Sequence, residues 1–263
     1  MRRFAAMTAA LTACACLAAC SAGASGTGHS ETSDAGASST MDRIGTPLDS
    51  ALPASIRDLS FTDSDGRSVR LADFAGKTVA ISDVMTLCQE TCPADTATLV
   101  QTVRAEDAAG RGSGQEFLSI TVDPGRDTAA QIAAYRRLFV PPPSNWLALT
   151  GTPSTVNALW DYLGVWRHKV GEGPGPAPRN WRTGAPLTYD VQHSDEVFFL
   201  DARGRERFVL EGAPYAAKAS VPRTLYDFMD ADGRRGLQAA PDTAWTQAQA
   251  QKVLAWVGGR SPA

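Results

Sequence analysis

The sequence lacks an excess of basic charge. It has 25 Lys and Arg residues against 28 Asp and Glu residues, which gives a formal net charge of −3. Proteins that bind nucleic acids or anionic lipid surfaces carry clustered positive charge, so both classes of partner are disfavoured. The 263 residues, 43% of them hydrophobic, are enough for the core of one ordinary domain with appendages. We expect a monomer that does not bind nucleic acid.

Long apolar runs are also scarce. The run Phe4–Ala19 is a little short for a membrane span and is typical of an export signal. The segment Leu17–Cys20 resembles the lipobox of bacterial lipoproteins, in which the cysteine becomes the lipidated first residue after cleavage; Leu11–Cys14 is a weaker rival because its apolar run is shorter. The sequence therefore predicts a signal peptide over residues 1–20 and a lipid anchor on Cys20, at the extracytoplasmic face of the cell membrane. An ordinary cleaved signal is the alternative, and it leaves Cys20 without a purpose.

Large apolar residues that could anchor packing are missing from the segment that follows. Residues 21–40 consist almost entirely of Ser, Gly, Ala and Thr, and such a composition cannot bury a core. We expect a flexible tether over residues 21–51 and a folded domain over residues 52–263.

Strand and helix patterns alternate along the predicted domain. The predicted elements are a hairpin over Phe61–Leu71, strand Val79–Ser82, helix Pro93–Ala109, strand Phe117–Val122, helices Thr128–Phe139 and Ser154–Leu163, a hairpin of Val197–Leu200 with Arg207–Leu210, and helix Thr246–Val257. The stretch Gly171–Pro186 is rich in Gly and Pro and reads as a structureless functional or mobile loop. This order predicts an α/β fold of thioredoxin type, a central β-sheet with flanking helices plus an N-terminal hairpin and an inserted loop.

Cysteine is nearly absent from the predicted domain. Of the five cysteines, Cys88 and Cys92 alone lie beyond the first twenty residues, where a predicted strand gives way to a helix. The N-terminus of a helix stabilises thiolate over thiol, which favours metal binding or redox chemistry. A static disulfide is the alternative, but it would close a very short loop and would constrain the unfolded chain little.

Histidine is scarce as well, with three residues in the chain. Two thiolates hold a soft ion such as Cu(I) poorly, so a third ligand is expected. His193 is the best candidate because it lies at a strand edge after the long insert, although a histidine satisfied by local hydrogen bonds is the alternative. His29 falls in the tether and His168 in a charged run, and Met85 continues a strand pattern that places it in the core.

Four segments carry a resemblance to a known family. They are Thr86-x-Cys88-x3-Cys92-Pro93, Val122-Asp123-Pro124-x-Arg126-Asp127-Thr128, Leu149-Thr150-Gly151-Thr152-Pro153 and His193-Ser194. Together they are similar to the motifs of the Sco/SenC family of copper-delivery proteins, which have a thioredoxin-like fold. The similarity covers about Phe61–Phe208.

The resemblance implies that Cys88, Cys92 and His193 bind copper, as Cu(I), Cu(II) or both. It also implies a metallochaperone that delivers copper to the dinuclear copper site of a respiratory cytochrome c oxidase, with that subunit or another copper protein as its partner. The alternative is a thiol-disulfide reductase that uses the Cys88/Cys92 pair to keep the copper-site cysteines of a target reduced. A third ligand favours the chaperone, and the three-residue gap departs from the C-x-x-C of redox enzymes.

The chain departs from the family pattern at three positions. Gln89 stands where proline is frequent and Met85 where an aromatic residue is usual, and both changes affect the loop. Gln192 stands where aspartate commonly precedes the histidine. That change is expected to remove an acidic partner of the His193 imidazole.

Overall fold

We describe residues 41–238 and 245–259 of the chain in a computed structural model. The predicted signal peptide, the lipobox with Cys20 and most of the predicted tether lie outside the described residues. Within the described ranges, no helix is both long enough and apolar enough to cross a lipid bilayer.

Ten strands form the framework of the described part. They are β1 (Thr46–Ala51), β2 (Phe61–Asp63), β3 (Ser68–Val69), β4 (Thr78–Val84), β5 (Gln115–Thr121), β6 (Trp146–Thr150), β7 (Arg167–Gly171), β8 (Tyr189–His193), β9 (Glu196–Leu200) and β10 (Arg205–Glu211). Eight of them make one sheet in the order β1-β10-β9-β4-β5-β6-β2-β3, and β7 and β8 pair separately as an antiparallel ribbon.

The parallel strands β4, β5 and β6 form the centre of the large sheet, and β9 joins β4 from the other side in antiparallel orientation. Every residue of β4 and β5 is buried, as expected for central strands that are covered on both faces. This arrangement confirms the predicted α/β class with its N-terminal hairpin, which is the β2–β3 pair.

Seven helices and three short 3₁₀ turns connect the strands in the described part. The helices are α1 (Ala54–Arg57), α2 (Cys92–Ala108), α3 (Ala129–Arg136), α4 (Pro153–Leu163), α5 (Arg223–Phe228), α6 (Ala231–Gly236) and α7 (Gln247–Val257), and the 3₁₀ turns are Leu71–Phe74, Gly112–Gly114 and Lys218–Ser220. The successive crossovers through α2 and α3 run in the same direction, which places both helices on one face of the sheet. Tyr135 of α3 accordingly donates a hydrogen bond of 2.9 Å to Thr96 of α2.

The predicted boundaries of α4 agree with its structure. Thr152 caps its first turn by accepting a hydrogen bond from the Thr155 N–H, and Gly164 ends it in the left-handed conformation at φ +84°. A residue with a side chain adopts that backbone conformation only at a cost, so Gly164 sets the end of the helix.

The predicted boundary between tether and domain is wrong. Strand β1 lies inside the range assigned to the tether, and it pairs with β10 from Thr46 opposite Val209 to Ala51 opposite Arg205. Met41 is also buried in the core. The prediction failed because β1 has a mostly exposed, weakly apolar pattern and owes its order to pairing with a distant strand.

The insert after β7 has no helix or strand over residues 172–186, as predicted, and its second half contacts residues near the cysteines. The charged run that begins at Arg167 is strand β7, which pairs with β8 along its whole length, and its residues His168 and Lys169 are exposed, as expected for a charged run. In the second half of the insert, the Trp181 indole donates a 2.7 Å hydrogen bond to the Thr86 carbonyl, and the Arg182 side chain donates one of 2.7 Å to Gln131. These contacts attach the insert to the loop that precedes the cysteines and to helix α3.

Candidate metal centre

The two cysteines lie on the short connection from β4 to α2. Cys88 is held in a tight turn by a 3.1 Å hydrogen bond from its N–H to the Met85 carbonyl. Its Sγ accepts a hydrogen bond from the Glu90 N–H at 3.4 Å. Cys92 is the first residue of α2, a helix of 17 residues, and Pro93 occupies the first turn, where its missing N–H costs little. The predicted strand–cysteine–helix arrangement is thus confirmed.

A buried carboxylate fixes the start of this loop. Asp127 accepts hydrogen bonds from the Thr86 N–H at 3.1 Å, from the Thr86 hydroxyl at 2.5 Å and from the Thr121 hydroxyl at 2.7 Å. Burial raises the pKa of Asp127 to about 6, although these hydrogen bonds act to lower it. The Val122–Thr128 motif therefore serves the site by anchoring the residue two positions before Cys88.

His193 reaches the cysteines from the end of β8. Its Nε2 lies 3.4 Å from Cys92 Sγ, and 5% of its side chain is exposed. His193 is the last residue of β8, and it pairs with Arg167, the first residue of β7. The structure thus brings together two residues that are 101 positions apart in the chain.

The other ring nitrogen of His193 faces two oxygens. Nδ1 lies 2.9 Å from the Ser194 carbonyl and 2.6 Å from Asp83 Oδ2. The expectation that Gln192 leaves the imidazole without an acidic partner is therefore wrong, because the acid comes from β4. Asp83 is a functional candidate that the sequence analysis missed, and the available signal was a carboxylate inside an otherwise buried, uncharged strand.

The two thiols differ in their surroundings. A hydrogen bond from Cys92 lowers the pKa of Cys88 against the effect of burial, and the positive charge of His193 and nearby N–H groups add to the lowering. Burial raises the pKa of Cys92 well above its ordinary value, and the neighbouring Cys88 raises it further. In the metal-free pair, Cys88 is therefore the more acidic thiol and Cys92 the one that holds its proton more tightly.

The pKa of His193 follows from its carboxylate partner. Burial acts to lower this pKa, but the hydrogen bond and charge of Asp83, followed by the charge of Cys88, outweigh it and raise the pKa to about 10. The metal-free imidazole is therefore protonated at neutral pH. An ion that binds at Nε2 must displace that proton.

A cavity of about 580 Å³ opens onto Cys88 and His193. Its lining includes five acidic residues, namely Glu90, Glu172, Asp190, Asp195 and Asp230, and none of the described residues that line it is Lys or Arg. Cys88 is 9% exposed whereas Cys92 is fully buried. A cation that enters from solvent therefore meets an acidic passage and reaches Cys88 first.

The three predicted ligands, Cys88, Cys92 and His193, are not all equally close to one another. Cys92 and His193 are in contact, but among the described residues the potential ligand atoms that all lie within 4.8 Å of one another belong to Asp83, His193 and Asp195. Neither cysteine belongs to that group. Enclosing one ion between both sulfurs and the imidazole thus requires these three groups to move closer together.

Comparison with known proteins gives a family match. The model of the SCO1/SenC family matches residues 50–220. The bovine (Bos taurus) mitochondrial SCO2 homolog is 38% identical over 147 residues, which are 56% of this chain and 50% of the bovine protein. The chain spans about half the length of the curated relatives it matches.

Solved structures show the same fold. A SCO1/SenC family lipoprotein from Bacillus anthracis superposes with a TM-score of 0.50 at 21% identity, over 70% of this chain and 97% of that protein. Copper-bound ScoI from Arabidopsis thaliana has a TM-score of 0.47 at 20% identity, over 70% of this chain and 94% of that protein. At this identity the Bacillus structure supports the thioredoxin-like architecture of the described domain.

Proposed function

The chain belongs to the SCO1/SenC family, and from this premise we propose that it binds copper through Cys88, Cys92 and His193 and passes the ion to another copper protein. The observation that carries the proposal is the 3.4 Å approach of His193 Nε2 to Cys92 Sγ, beside a second cysteine on the same loop. Two thiolates and one imidazole form a soft ligand set that suits Cu(I), and the nitrogen ligand also suits Cu(II).

The cavity supports a role in transfer. Its acidic lining attracts a cationic ion, and Cys88 offers a sulfur that an incoming or departing partner ligand can reach. An ion that is fully enclosed leaves slowly, whereas one bound beside an open cavity can exchange ligands stepwise. We propose that the recipient is the dinuclear copper site of a respiratory cytochrome c oxidase, in keeping with the family resemblance of the cysteine and histidine motifs.

Anaerobic titration of the reduced protein with Cu(I) against a competing chelator tests copper binding directly. We expect one ion per chain and simultaneous protection of both thiols from a thiol reagent, because each sulfur becomes a ligand. Binding of less than one ion, or binding that leaves both thiols fully reactive, would contradict the proposal.

The difference between the two thiols supports a second candidate function, thiol-disulfide exchange. The Cys88 thiolate is more accessible and has the lowered pKa, so it would attack a target disulfide and form a mixed disulfide while one target thiolate leaves. Cys92, after loss of its proton, would then attack Cys88 Sγ and release the second target thiol. The products are a reduced target and an oxidised Cys88–Cys92 pair, which balances the two electrons transferred.

We also propose that the domain acts at the extracytoplasmic face of the cell membrane, held by lipid on Cys20. The support is the small-residue segment that ends at Cys20 after an apolar run. Replacing Cys20 with Ser should move the protein from the membrane fraction to the soluble fraction, with Cys14→Ser as the matched control that leaves it membrane-bound. If Cys20→Ser remains in the membrane fraction as the unaltered protein does, the lipid anchor is wrong.

A further inference from the structure

Asp83 is a buried carboxylate in the middle of the sheet. It lies near the end of β4, and 2% of its side chain is exposed. A carboxylate in such a position is destabilised unless charged or hydrogen-bonding groups face it. One oxygen, Oδ1, accepts a 2.8 Å hydrogen bond from the Glu196 N–H, and the other, Oδ2, lies against His193.

The surroundings of His193 determine which ring nitrogen carries hydrogen. Nδ1 faces two acceptors, Asp83 Oδ2 at 2.6 Å and the Ser194 carbonyl at 2.9 Å. The lone pair of an unprotonated Nδ1 would be repelled by the lone pairs of both oxygens, so Nδ1 keeps its hydrogen. A neutral imidazole held in this way has its lone pair at Nε2, on the side of Cys92.

We propose that Asp83 is a positioning residue for copper, which fixes His193 with Nδ1 protonated and Nε2 directed at the ion between the cysteines. The inference rests on the proposed copper function and deepens it. Asp83 does not touch the ion; it acts through the imidazole, by fixing the orientation of the ring and making Nε2 a better donor.

A second carboxylate nearby provides a comparison. Asp195 lies 3.8 Å from His193 Nδ1, its side chain is 20% exposed, and its Oδ1 accepts a 3.3 Å hydrogen bond from the Thr91 hydroxyl. It contributes charge near the ring but does not contact Nδ1 at hydrogen-bonding distance. Asp195→Asn therefore removes a neighbouring charge while leaving the Asp83–His193 contact in place.

The test compares Asp83→Asn with Asp195→Asn in the full chain. In Asp83→Asn, the amide oxygen would still accept the hydrogen bond from the Glu196 N–H, and the amide NH₂ would then face Nδ1. Two N–H donors cannot face each other favourably, so this change disfavours a hydrogen on Nδ1. We expect copper affinity to fall by about 10- to 100-fold in Asp83→Asn. We expect a smaller fall, of at most about fivefold, in Asp195→Asn, because that change removes one of the five acidic charges that line the cavity. We also expect Asp83→Asn to change the nitrogen hyperfine coupling and the thiolate-to-copper absorption of the Cu(II) form, which a purely structural role would leave unchanged in folded protein.

A measurement on the unaltered protein covers the case in which Asp83→Asn fails to fold. Long-range ¹⁵N NMR of the diamagnetic Cu(I) form should show His193 with hydrogen on Nδ1. Hydrogen on Nε2 would overturn the inference, as would unchanged affinity and spectra in a folded Asp83→Asn variant. Absence of copper binding by the unaltered protein would overturn the proposed function itself, and the inference with it.

Discussion

The double variant Cys88→Ser/Cys92→Ser is expected to lose stoichiometric copper binding. Both soft sulfur ligands are replaced by neutral hydroxyls, and a single imidazole remains. We expect the affinity to fall by at least about 1000-fold, which corresponds to about 4 kcal/mol of binding free energy. Chelator competition under reducing, anaerobic conditions measures this loss, and thermal unfolding of the metal-free variant shows whether the fold is retained.

Met85→Leu is the matched control for this variant. Met85 is a buried sulfur residue that lines the same cavity, but its Sδ is 3.3 Å from the Arg126 guanidinium. Its loss should leave copper affinity nearly unchanged. Retention of one tightly bound ion by the double cysteine variant would place copper elsewhere, with the oxygens of Asp83 and Asp195 beside His193 as the first alternative.

The second large effect is expected for His193→Ala, and it separates the chaperone from the reductase. Residues that only support a ligand cost about 10- to 100-fold in affinity when removed, so loss of the ligand itself should cost about 100-fold or more. Exchange between thiol and disulfide needs an accessible thiolate and a second thiol, and it should continue in the variant. Copper affinity and the rate of disulfide reduction, measured on the same preparation, show whether the two activities separate.

His168→Ala is the control for this variant. His168 lies on β7 opposite Gln192 and stacks on Trp166 with ring centroids 6.0 Å apart. It is exposed, so its removal should affect neither copper affinity nor stability. Unchanged copper affinity in a folded His193→Ala variant would remove His193 from the site and would favour the reductase.

Local sequence patterns were sufficient to predict much of the site. A buried strand, two cysteines and a helix with Pro93 in its first turn follow one another within fifteen residues, so their order predicts where the thiols lie. The large sheet could be predicted as well, because alternating strands and helices with short connections can be arranged in only a few ways. His193 was predicted from its position after the insert and from the family resemblance.

Contacts between distant segments could not be predicted. Asp83 meets His193 across 110 positions of sequence, and a single sequence contains no record of that proximity. Strand β1 likewise depends on β10, which begins more than 150 positions later. In both cases the local pattern is weak, and the tertiary partner decides the structure.

The cysteine loop is held by residues that are far away in the sequence, so the chain must fold before the loop takes its native shape. Thr86 forms hydrogen bonds with Asp127, 41 positions later, and with Trp181, 95 positions later. His193, whose imidazole contacts Cys92, lies 101 positions after Cys92. Each of these contacts closes a long loop of the chain, which costs conformational entropy. Folding of the domain offsets that cost, so the contacts are present only in the native chain. In an unfolded chain the two cysteines are close only in sequence, whereas the native chain also places the His193 imidazole beside Cys92. Under the proposed function, we therefore expect the native chain to retain copper more tightly than the unfolded chain does.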